Sequence, residues 1–269
     1  MRPRSSVAGF TLVEMIIVIA IMGIVGAMVA VFLRAPLESY VAQDRRARLT
    51  DTADTALRRM GREVRLALPN SVRVTNVGTV VYLEFLATRS GGRYRTQGDG
   101  TAGNDPLDFT APDTSFDVLG PPITMRAGEL IAVYNLGIPG ADAWAGNTLA
   151  NYGGTAGATS TVTLAPAMQF PLASPGNRFQ VVEGPVTYEC NPTTGNLTRY
   201  WGYAVNAAQP TAFAAGTPRA LLADQIEACT FTYSPGVTER GGLVSMTLNL
   251  LRENERVWLY HSMQVENQP

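Results

Sequence analysis

The sequence has few of the residues that catalysis and metal binding require. It contains no lysine, one histidine (His261) and two cysteines (Cys190 and Cys229). One histidine leaves little material for general acid–base chemistry. The cysteines stand in neither a CxxC motif nor a Cys/His cluster of the kind that holds structural zinc, and no P-loop occurs. We therefore expect a protein that is not an enzyme.

Charge is also scarce. Charged residues make up 16% of the 269 residues, and the formal net charge is −1. This balance gives no electrostatic reason to expect a nucleic-acid partner. Hydrophobic residues make up 46% of the chain, which indicates a folded protein with a core rather than a disordered one.

The longest apolar run covers residues 10–33. As an α-helix it would be about 36 Å long, enough to cross the hydrocarbon core of a bilayer. Arg2 and Arg4 precede it, which predicts that the N-terminal end stays in the cytoplasm. The run is longer than the apolar part of a secretory signal peptide, and no A-x-A-like site follows it. On hydropathy alone, a simple signal anchor remains the alternative.

A more specific signal lies at residues 7–14, VAGFTLVE. The nine-residue leader, which carries two arginines, ends in Gly9, and the aromatic Phe10 opens the apolar run. This arrangement resembles the class III signal of type IV prepilins. The resemblance implies that a membrane aspartyl protease, the prepilin peptidase, removes the leader after Gly9. It also implies that the new N-terminal amine of Phe10 is then methylated.

Glu14 is an acid inside this apolar run. A charged side chain near the bilayer centre costs roughly 2.5–3.5 kcal/mol, so its presence predicts a function. The run contains no cation that pairs with it. The resemblance to prepilins implies that Glu14 meets the Phe10 amine of a neighbouring subunit and sets the register during assembly. The alternative is a tolerated acid near the membrane interface.

The pattern changes to an amphipathic helix after Pro36. This proline predicts a kink or an interruption, because it lacks an N–H donor and clashes with the preceding turn. Beyond it, apolar residues recur at spacings of three and four until Pro69 and Asn70. The stripe consists of Ala53, Ala56, Leu57, Met60, Val64, Ala67 and Leu68.

Strand patterns replace the helical period after Pro69. Apolar and polar residues alternate most clearly over residues 244–250. The chain then returns over residues 257–265, where His261 shares a strand face with apolar residues. Gly184-Pro185 predicts a turn between two strands.

We expect an α+β fold from these patterns. The stretches over residues 88–120 and 136–160 are rich in Gly, Asn, Asp, Thr and Ala and predict long loops. The prepilin resemblance implies a type IV pilin-like fold, in which a long N-terminal helix packs on an antiparallel β-sheet domain. It divides the chain into a leader (residues 1–9), a membrane and filament-core helix (10–35) and an amphipathic helix with a β-rich domain (36–269).

Cys190 and Cys229 fall on apolar faces of predicted strands. A domain that lies across the inner membrane is in an oxidising compartment, where a disulfide is expected. Two buried free thiols are the alternative.

A Gly-rich loop at residues 99–105 contains Asp99, Asn104 and Asp105, which are candidate oxygen ligands for Ca²⁺. Their spacing does not match the EF-hand pattern, and turns rich in Gly and Asp are common without a metal. We expect no other cofactor.

Four stretches outside the N-terminal signal resemble the minor pilins of mannose-sensitive haemagglutinin (MSHA) pilus biogenesis. They are FLRAP at 32–36, TALRRMGR at 55–62, ALPNSVR at 67–73 and DPLDF at 105–109. The resemblance implies a minor pilin that primes or caps a filament. It implies a bacterial inner-membrane precursor that later lies in the pilus or periplasm. Its partners would be other minor and major pilins, the prepilin peptidase, the inner-membrane assembly platform and the lipid bilayer.

Three other functions stay open on the sequence. The layout is similar to the J-type minor pseudopilins of type II secretion. A filament-borne adhesin would bind its ligand through exposed aromatic residues, for which Tyr94, Trp144, Trp201 and Tyr203 are candidates. An enzyme anchored by its N-terminus is disfavoured by the lack of a nucleophile motif or metal cluster.

Overall fold

A computed structural model describes residues 9–98, 104–236 and 241–267. The chain divides into two compact units, Met1–Arg48 and Leu49–Pro269. Within the described residues one α-helix, α1 (Leu12–Arg65), precedes all the strands. The strands are β1 (Arg73–Val77), β2 (Val80–Tyr94), β3 (Asp113–Leu119), β4 (Ile123–Met125), β5 (Leu130–Ala132), β6 (Leu149–Asn151), β7 (Gly157–Thr159), β8 (Thr161–Met168), β9 (Arg178–Asn191), β10 (Asn196–Trp201), β11 (Arg219–Ala223), β12 (Ile226–Ser234), β13 (Gly242–Arg252) and β14 (Glu255–Val265). The predicted α+β class is confirmed.

Sequence analysis predicted a kink or an interruption at Pro36. Helix α1 runs through Pro36 without a break, so the interruption is wrong. A proline removes one backbone hydrogen bond, and the intact turns on both sides keep the chain helical. The helix also ends earlier than predicted, at Arg65. Leu66 and Ala67 donate to carbonyls three residues back, and Leu68 N–H then donates to Leu86 O at 2.8 Å. The chain therefore joins the sheet before it reaches Pro69.

The amphipathic stripe of the helix is buried, as predicted. Its buried side chains, together with those that immediately follow the helix, are Leu49, Ala53, Ala56, Leu57, Met60, Val64, Ala67 and Leu68. Most of them belong to one core that also includes side chains from β2, β9, β12, β13 and β14. At Gly61 the helix lies so close to β14 that an added Cβ would be 3.0 Å from both His261 Nε2 and Met263 Cε. Glycine permits this close approach.

The strands form antiparallel sheets. A nine-stranded sheet has the central order β11-β10-β9-β2-β3-β8, with β1, β5 and β6 joined at its sides. A three-stranded sheet has the order β12-β13-β14, and β4 pairs with β7. A second core lies under β3, β5 and β8 around Phe116, Phe170 and Phe179.

Gly184-Pro185 is not a turn, which corrects the sequence prediction. Strand β9 continues through both residues, and Pro185 lies opposite Leu86 on β2. The register shifts beside this point, between Ala87 and Thr88, and Gly184 has a φ of +129°. A β-bulge accommodates the extra residue, and glycine and proline are tolerated in strands at such positions.

The two predicted loops also contain strands. Strand β2 extends to Tyr94 and β3 follows within residues 88–120, while β6 and β7 lie within residues 136–160. Gly91 is opposite Gln180 on β9, and an added Cβ there would be 2.6 Å from Phe179 O. The glycines that suggested a loop instead permit a close approach between two strand backbones.

The predicted C-terminal hairpin is confirmed. Residues of β13 alternate between buried and less buried positions. Val244, Met246, Leu248 and Leu250 are buried, and Ser245, Thr247 and Asn249 are partly exposed. His261 lies on the inward face of β14 between Leu259 and Met263 and is partly exposed.

The sulfur atoms of Cys190 and Cys229 lie 2.08 Å apart, a bonded pair with a Cα–Cα distance of 6.5 Å. Cys190 is on β9 and Cys229 is on β12. The bond therefore links the nine-stranded sheet to the three-stranded sheet.

Several ion pairs join elements inside the domain, including the following two. Arg199 Nε on β10 donates to Glu63 Oε2 of the helix at 2.7 Å, and Arg73 Nε on β1 donates to Glu84 Oε2 on β2 at 2.6 Å. Burial by itself would raise the pKa of Glu63. The hydrogen bond and charge of Arg199, together with hydrogen bonds from Tyr188 and Arg59, outweigh burial, so the pKa is lowered. At Glu84 burial dominates over the Arg73 interaction and the pKa is raised.

We predict that Arg199→Met reduces the free energy of unfolding by about 1.5–3 kcal/mol at pH 7, the usual contribution of a hydrogen bond to a charged group. The pKa of Glu63 is lowered on folding, so its contribution is present above pH 4.5 and is lost as the pH falls through the folded value. The difference in the free energy of unfolding between wild type and Arg199→Met should therefore become smaller as the pH falls below 4.5. Denaturant unfolding of the full chain in detergent at several pH values measures it.

Arg58→Met is the matched control. Arg58 pairs with Asp54 at 2.7 Å, but their side chains are 68% and 45% exposed, and such a pair contributes about 0–1 kcal/mol. Equal losses of unfolding free energy in the two variants would contradict the assignment of the Arg199–Glu63 pair. A loss in Arg199→Met that stays the same in acid would also contradict it.

Candidate functional site in the N-terminal segment

The sequence-predicted cleavage position lies on exposed chain. Gly9 and Phe10 precede the helix, have no regular secondary structure and are exposed, and the Phe10 side chain is 84% exposed. The peptide bond between them is therefore accessible within this unit. Residues 1–8, the rest of the predicted leader, lie outside the described residues.

Thr11 and Glu14 form a reciprocal cap at the start of α1. The Glu14 backbone N–H donates to Thr11 Oγ1 at 3.2 Å. In return, Glu14 Oε2 accepts from Thr11 N at 2.9 Å and from Thr11 Oγ1 at 3.0 Å. This is the capping-box arrangement, which satisfies N–H groups that have no partner within the helix.

The cap was missed in the sequence analysis although its signal is present. A Thr followed three residues later by Glu, directly before an apolar run, is the sequence signature of a capping box. Glu14 was considered only as a charge in an apolar run. The structure shows that its carboxylate has local partners as well.

The cap leaves part of the Glu14 carboxylate available. Both hydrogen bonds from Thr11 reach Oε2, and no residue in the described part of the chain donates to Oε1. An ionised carboxylate accepts about four hydrogen bonds through its two oxygens. Glu14 can therefore close the cap and accept from a cationic donor at the same time.

The helix after the cap is suited to a membrane. Leu12–Phe32 comprises 21 residues, is apolar enough to cross a bilayer, and is not buried within the unit. Its length corresponds to about 30 Å, the thickness of a hydrocarbon core. Gly23 and Gly26 lie on this helix, and an added Cβ at either position would meet nothing within 4 Å.

The candidate calcium ligands are only partly described. Asp99 lies outside the described residues, whereas Asn104 and Asp105 lie within them. Asp105 Oδ2 accepts from Ser115 Oγ at 2.6 Å, and its backbone N–H donates to Asp117 Oδ2 at 3.0 Å. Asp105 is thus engaged by β3. Within residues 9–98, 104–236 and 241–267, no group of three or more His, Cys, Asp or Glu side chains has the geometry of a metal site.

The four aromatic residues considered for ligand binding are not exposed, which corrects that expectation. Tyr94 and Trp144 are buried, and Trp201 and Tyr203 are half-buried. The Tyr94 hydroxyl accepts from Ser174 N at 2.8 Å. Strand pairing and loop packing, which the sequence pattern does not show, turn these side chains inward.

Polar partners hold two of these aromatic side chains in the domain. Trp144 Nε1 donates to Ser71 O at 3.0 Å, and the Arg73 guanidinium lies 3.7 Å from the centre of the Trp144 ring. The Tyr203 hydroxyl donates to Glu84 Oε1 at 2.8 Å. They are part of the packing around Arg73 and Glu84.

Comparison with known proteins gives one finding, and it concerns the N-terminal segment. Residues 4–30 match the family model of the prokaryotic N-terminal methylation motif. No curated protein and no solved structure matches the chain. The match covers the predicted cleavage position, the cap and most of the apolar helix, and it supports a type IV pilin-like prepilin signal there.

We predict that Thr11→Ala loosens the first turn of α1. Loss of an N-cap side chain costs about 0.5–2 kcal/mol. Where amide hydrogens exchange through local opening of the helix, this cost corresponds to roughly 2- to 30-fold faster exchange. Hydrogen exchange over residues 11–15 of the full chain in detergent micelles measures this change. Thr11→Ser, which keeps the hydroxyl, should exchange at the wild-type rate. Unchanged exchange in Thr11→Ala would show that the cap does not stabilise this turn.

Proposed function

We propose that this protein is a minor pilin of an MSHA-type type IV pilus, made as an inner-membrane precursor and assembled into, or priming, the filament. The observation that carries the proposal is the N-terminal segment. An accessible Gly9-Phe10 bond precedes a capped, exposed apolar helix of 21 residues, and residues 4–30 match the N-terminal methylation motif. The finer assignment rests on the sequence resemblance to the MSHA biogenesis protein MshO, a minor pilin.

Processing would begin on the precursor in the membrane. Prepilin peptidase would cleave after Gly9, and the Phe10 amine would then be methylated. The exposure of both residues supports cleavage at this bond, because a protease needs an accessible segment. The arginines before Gly9 favour a cytoplasmic N-terminus, and the domain would lie across the inner membrane.

Assembly would then use the helix as the contact with other pilins. The Glu14 carboxylate would receive the Phe10 amine of a neighbouring subunit, and Oε1 lies free of the Thr11 cap for this contact. Pairing would remove the cost of an isolated charge in an apolar environment. The open surfaces at Gly23 and Gly26 would permit close helix–helix approach.

The energy for assembly would come from other components. No P-loop occurs in the chain, so an ATPase and the inner-membrane assembly platform would supply work and position. The chain itself would act as a substrate of the peptidase and as a building block. A priming or tip role would need few copies per filament.

We predict that co-expression with a prepilin peptidase shortens the chain by nine residues and leaves Phe10 at the N-terminus. Intact-mass measurement and N-terminal sequencing of the membrane fraction give both results. Gly9→Val should block the mass change, because a branched side chain at this position obstructs the cleavage pocket that the resemblance implies. Cleavage at another bond, or processing of Gly9→Val at the wild-type rate, would contradict the assignment.

A deletion in the host tests the filament role. We predict that deletion abolishes or strongly reduces surface pili and leaves type II secretion intact. Wild type should restore pili, whereas Glu14→Gln should not. The Gln side chain keeps the capping hydrogen bonds but removes the charge, so this variant separates the pairing role of Glu14 from its cap.

Each other outcome has a defined meaning. Lost secretion with intact pili would make the protein a minor pseudopilin. Full rescue by Glu14→Gln would show that the charge is dispensable and that Glu14 acts through the cap alone. If neither pili nor secretion changed, the assembly role would be wrong.

A further inference from the structure

The last strand of the chain has one open edge. Strand β14 pairs with β13 over eleven residues, Glu255–Val265, without any shift of register. No other strand of the described residues pairs with it, so β14 is the outer strand of the three-stranded sheet. The backbone N–H and C=O groups on its outer side are available to another strand.

The other edges in the domain carry features that discourage such pairing. Strands β1 and β11 are only five residues long, and β4, β6 and β7 are only three residues long. Strand β8 contains Pro166, and its pairing with β3 shifts register. Strand β12, the opposite edge of the small sheet, has a register shift and is tied to the large sheet by Cys229. Short strands, proline and bulges are the usual protection of sheet edges.

Strand β14 has none of these features. Between Val257 and Val265 it contains no Lys, Arg, Asp, Glu, Pro or Gly. Its outward face presents Trp258 and Tyr260, which are 63% and 53% exposed. A long, regular and uncharged edge with exposed aromatic side chains is a template for strand addition.

We propose that β14 pairs antiparallel with β14 of a second copy of this chain, about a twofold axis at His261, so that two three-stranded sheets become one six-stranded sheet. The main-chain hydrogen bonds of the two open edges would hold the copies together. The exposed aromatic side chains would be covered on the outer face.

The sequence of β14 is self-complementary in this register, which is the argument for a second copy. Inward-facing residues meet inward-facing residues and outward-facing residues meet outward-facing ones. The opposed pairs are Val257 with Val265, Leu259 with Met263, Trp258 with Gln264, Tyr260 with Ser262, and Arg256 with Glu266. A shift by one residue would place inward-facing side chains opposite outward-facing ones.

More than one register places inward-facing residues opposite inward-facing ones, and charge pairing distinguishes between these registers. The axis at His261 puts Arg256 opposite Glu266, both of which are exposed. An axis at Tyr260 would put Arg256 opposite Gln264 and leave this charge pair unmade. Arg256 also pairs with Glu227 on β12, and the five N–H donors of a guanidinium can serve two carboxylates.

Cysteine cross-linking of the full chain in its membrane tests the pairing. Trp258→Cys and Gln264→Cys are made as two separately tagged proteins and co-expressed, and a short bifunctional thiol reagent is added under conditions that keep the native disulfide. In the proposed register these two positions face each other. We expect a mixed dimer at least about fivefold more abundant than the dimer from either variant alone, because like positions lie about 20 Å apart along the strand.

Leu251→Cys combined with Trp258→Cys is the matched control. Leu251 is exposed on the same outer face, but on β13, and it should give no mixed dimer above that of single variants. Equal cross-linking by all combinations would indicate random collision and would overturn the proposal. Absence of mixed dimers would also overturn it, as would a cross-link to a different protein alone, which would assign the edge to another subunit.

Charges introduced beside the twofold axis provide a second test. The double variant with Tyr260→Lys and Ser262→Lys places like charges opposite each other across the twofold axis. We expect the yield of the 258–264 mixed dimer to fall at least about tenfold. Tyr260→Lys with Ser262→Glu places opposite charges there and should restore it. Unfolding midpoints within error of wild type show that both variants fold. Equal dimer yields in both would overturn the proposed register.

Discussion

The burial of one helix face against two sheets is the constraint on which the domain depends. Residues 49–65 present a stripe of small and medium side chains, and Ala53, Met60 and Val64 are fully buried. Gly61 lets the helix lie directly beside His261 and Met263. This face covers β13 and β14, since the apolar face of a sheet must be buried against another element.

Among the described residues of the domain, the two buried carboxylates, Glu84 and Glu129, are each paired with an arginine. Glu84 is fully buried, and Arg73 and the Tyr203 hydroxyl occupy its two oxygens. Arg73 in turn lies on the Trp144 ring, so one guanidinium joins β1 and β2 to two surface loops. If any of these groups lost its partner, no interaction would offset the free energy that its desolvation costs. The low charge content of the chain is consistent with a core that accepts few such pairs.

Glu14 has a local role in the helix cap, and the proposed assembly would give it an intermolecular one. Its Oε2 atom closes the cap with Thr11, and in the proposed filament Oε1 would receive a neighbour's amine. The cap fixes the carboxylate at the first turn, close to the position that Phe10 occupies in the chain. A carboxylate that is already oriented loses less side-chain entropy when a cation binds. The cap therefore makes the proposed assembly contact more favourable rather than competing with it.

The sequence by itself determined the features that depend on short-range pattern. The apolar run, the buried stripe of the helix and the alternation in the C-terminal hairpin follow from residue spacing, and the predicted boundary at Gly9 and Phe10 comes from the resemblance to prepilins. Only the tertiary structure decided that β9 continues through Gly184-Pro185, that Tyr94 is buried, and that β14 has an open edge. Local propensity favoured turns and exposure at the first two sites, and contacts with distant strands overrode it. Strand pairing joins residues far apart in the chain, so their hydrogen bonds and packing leave no periodic signal in a single sequence.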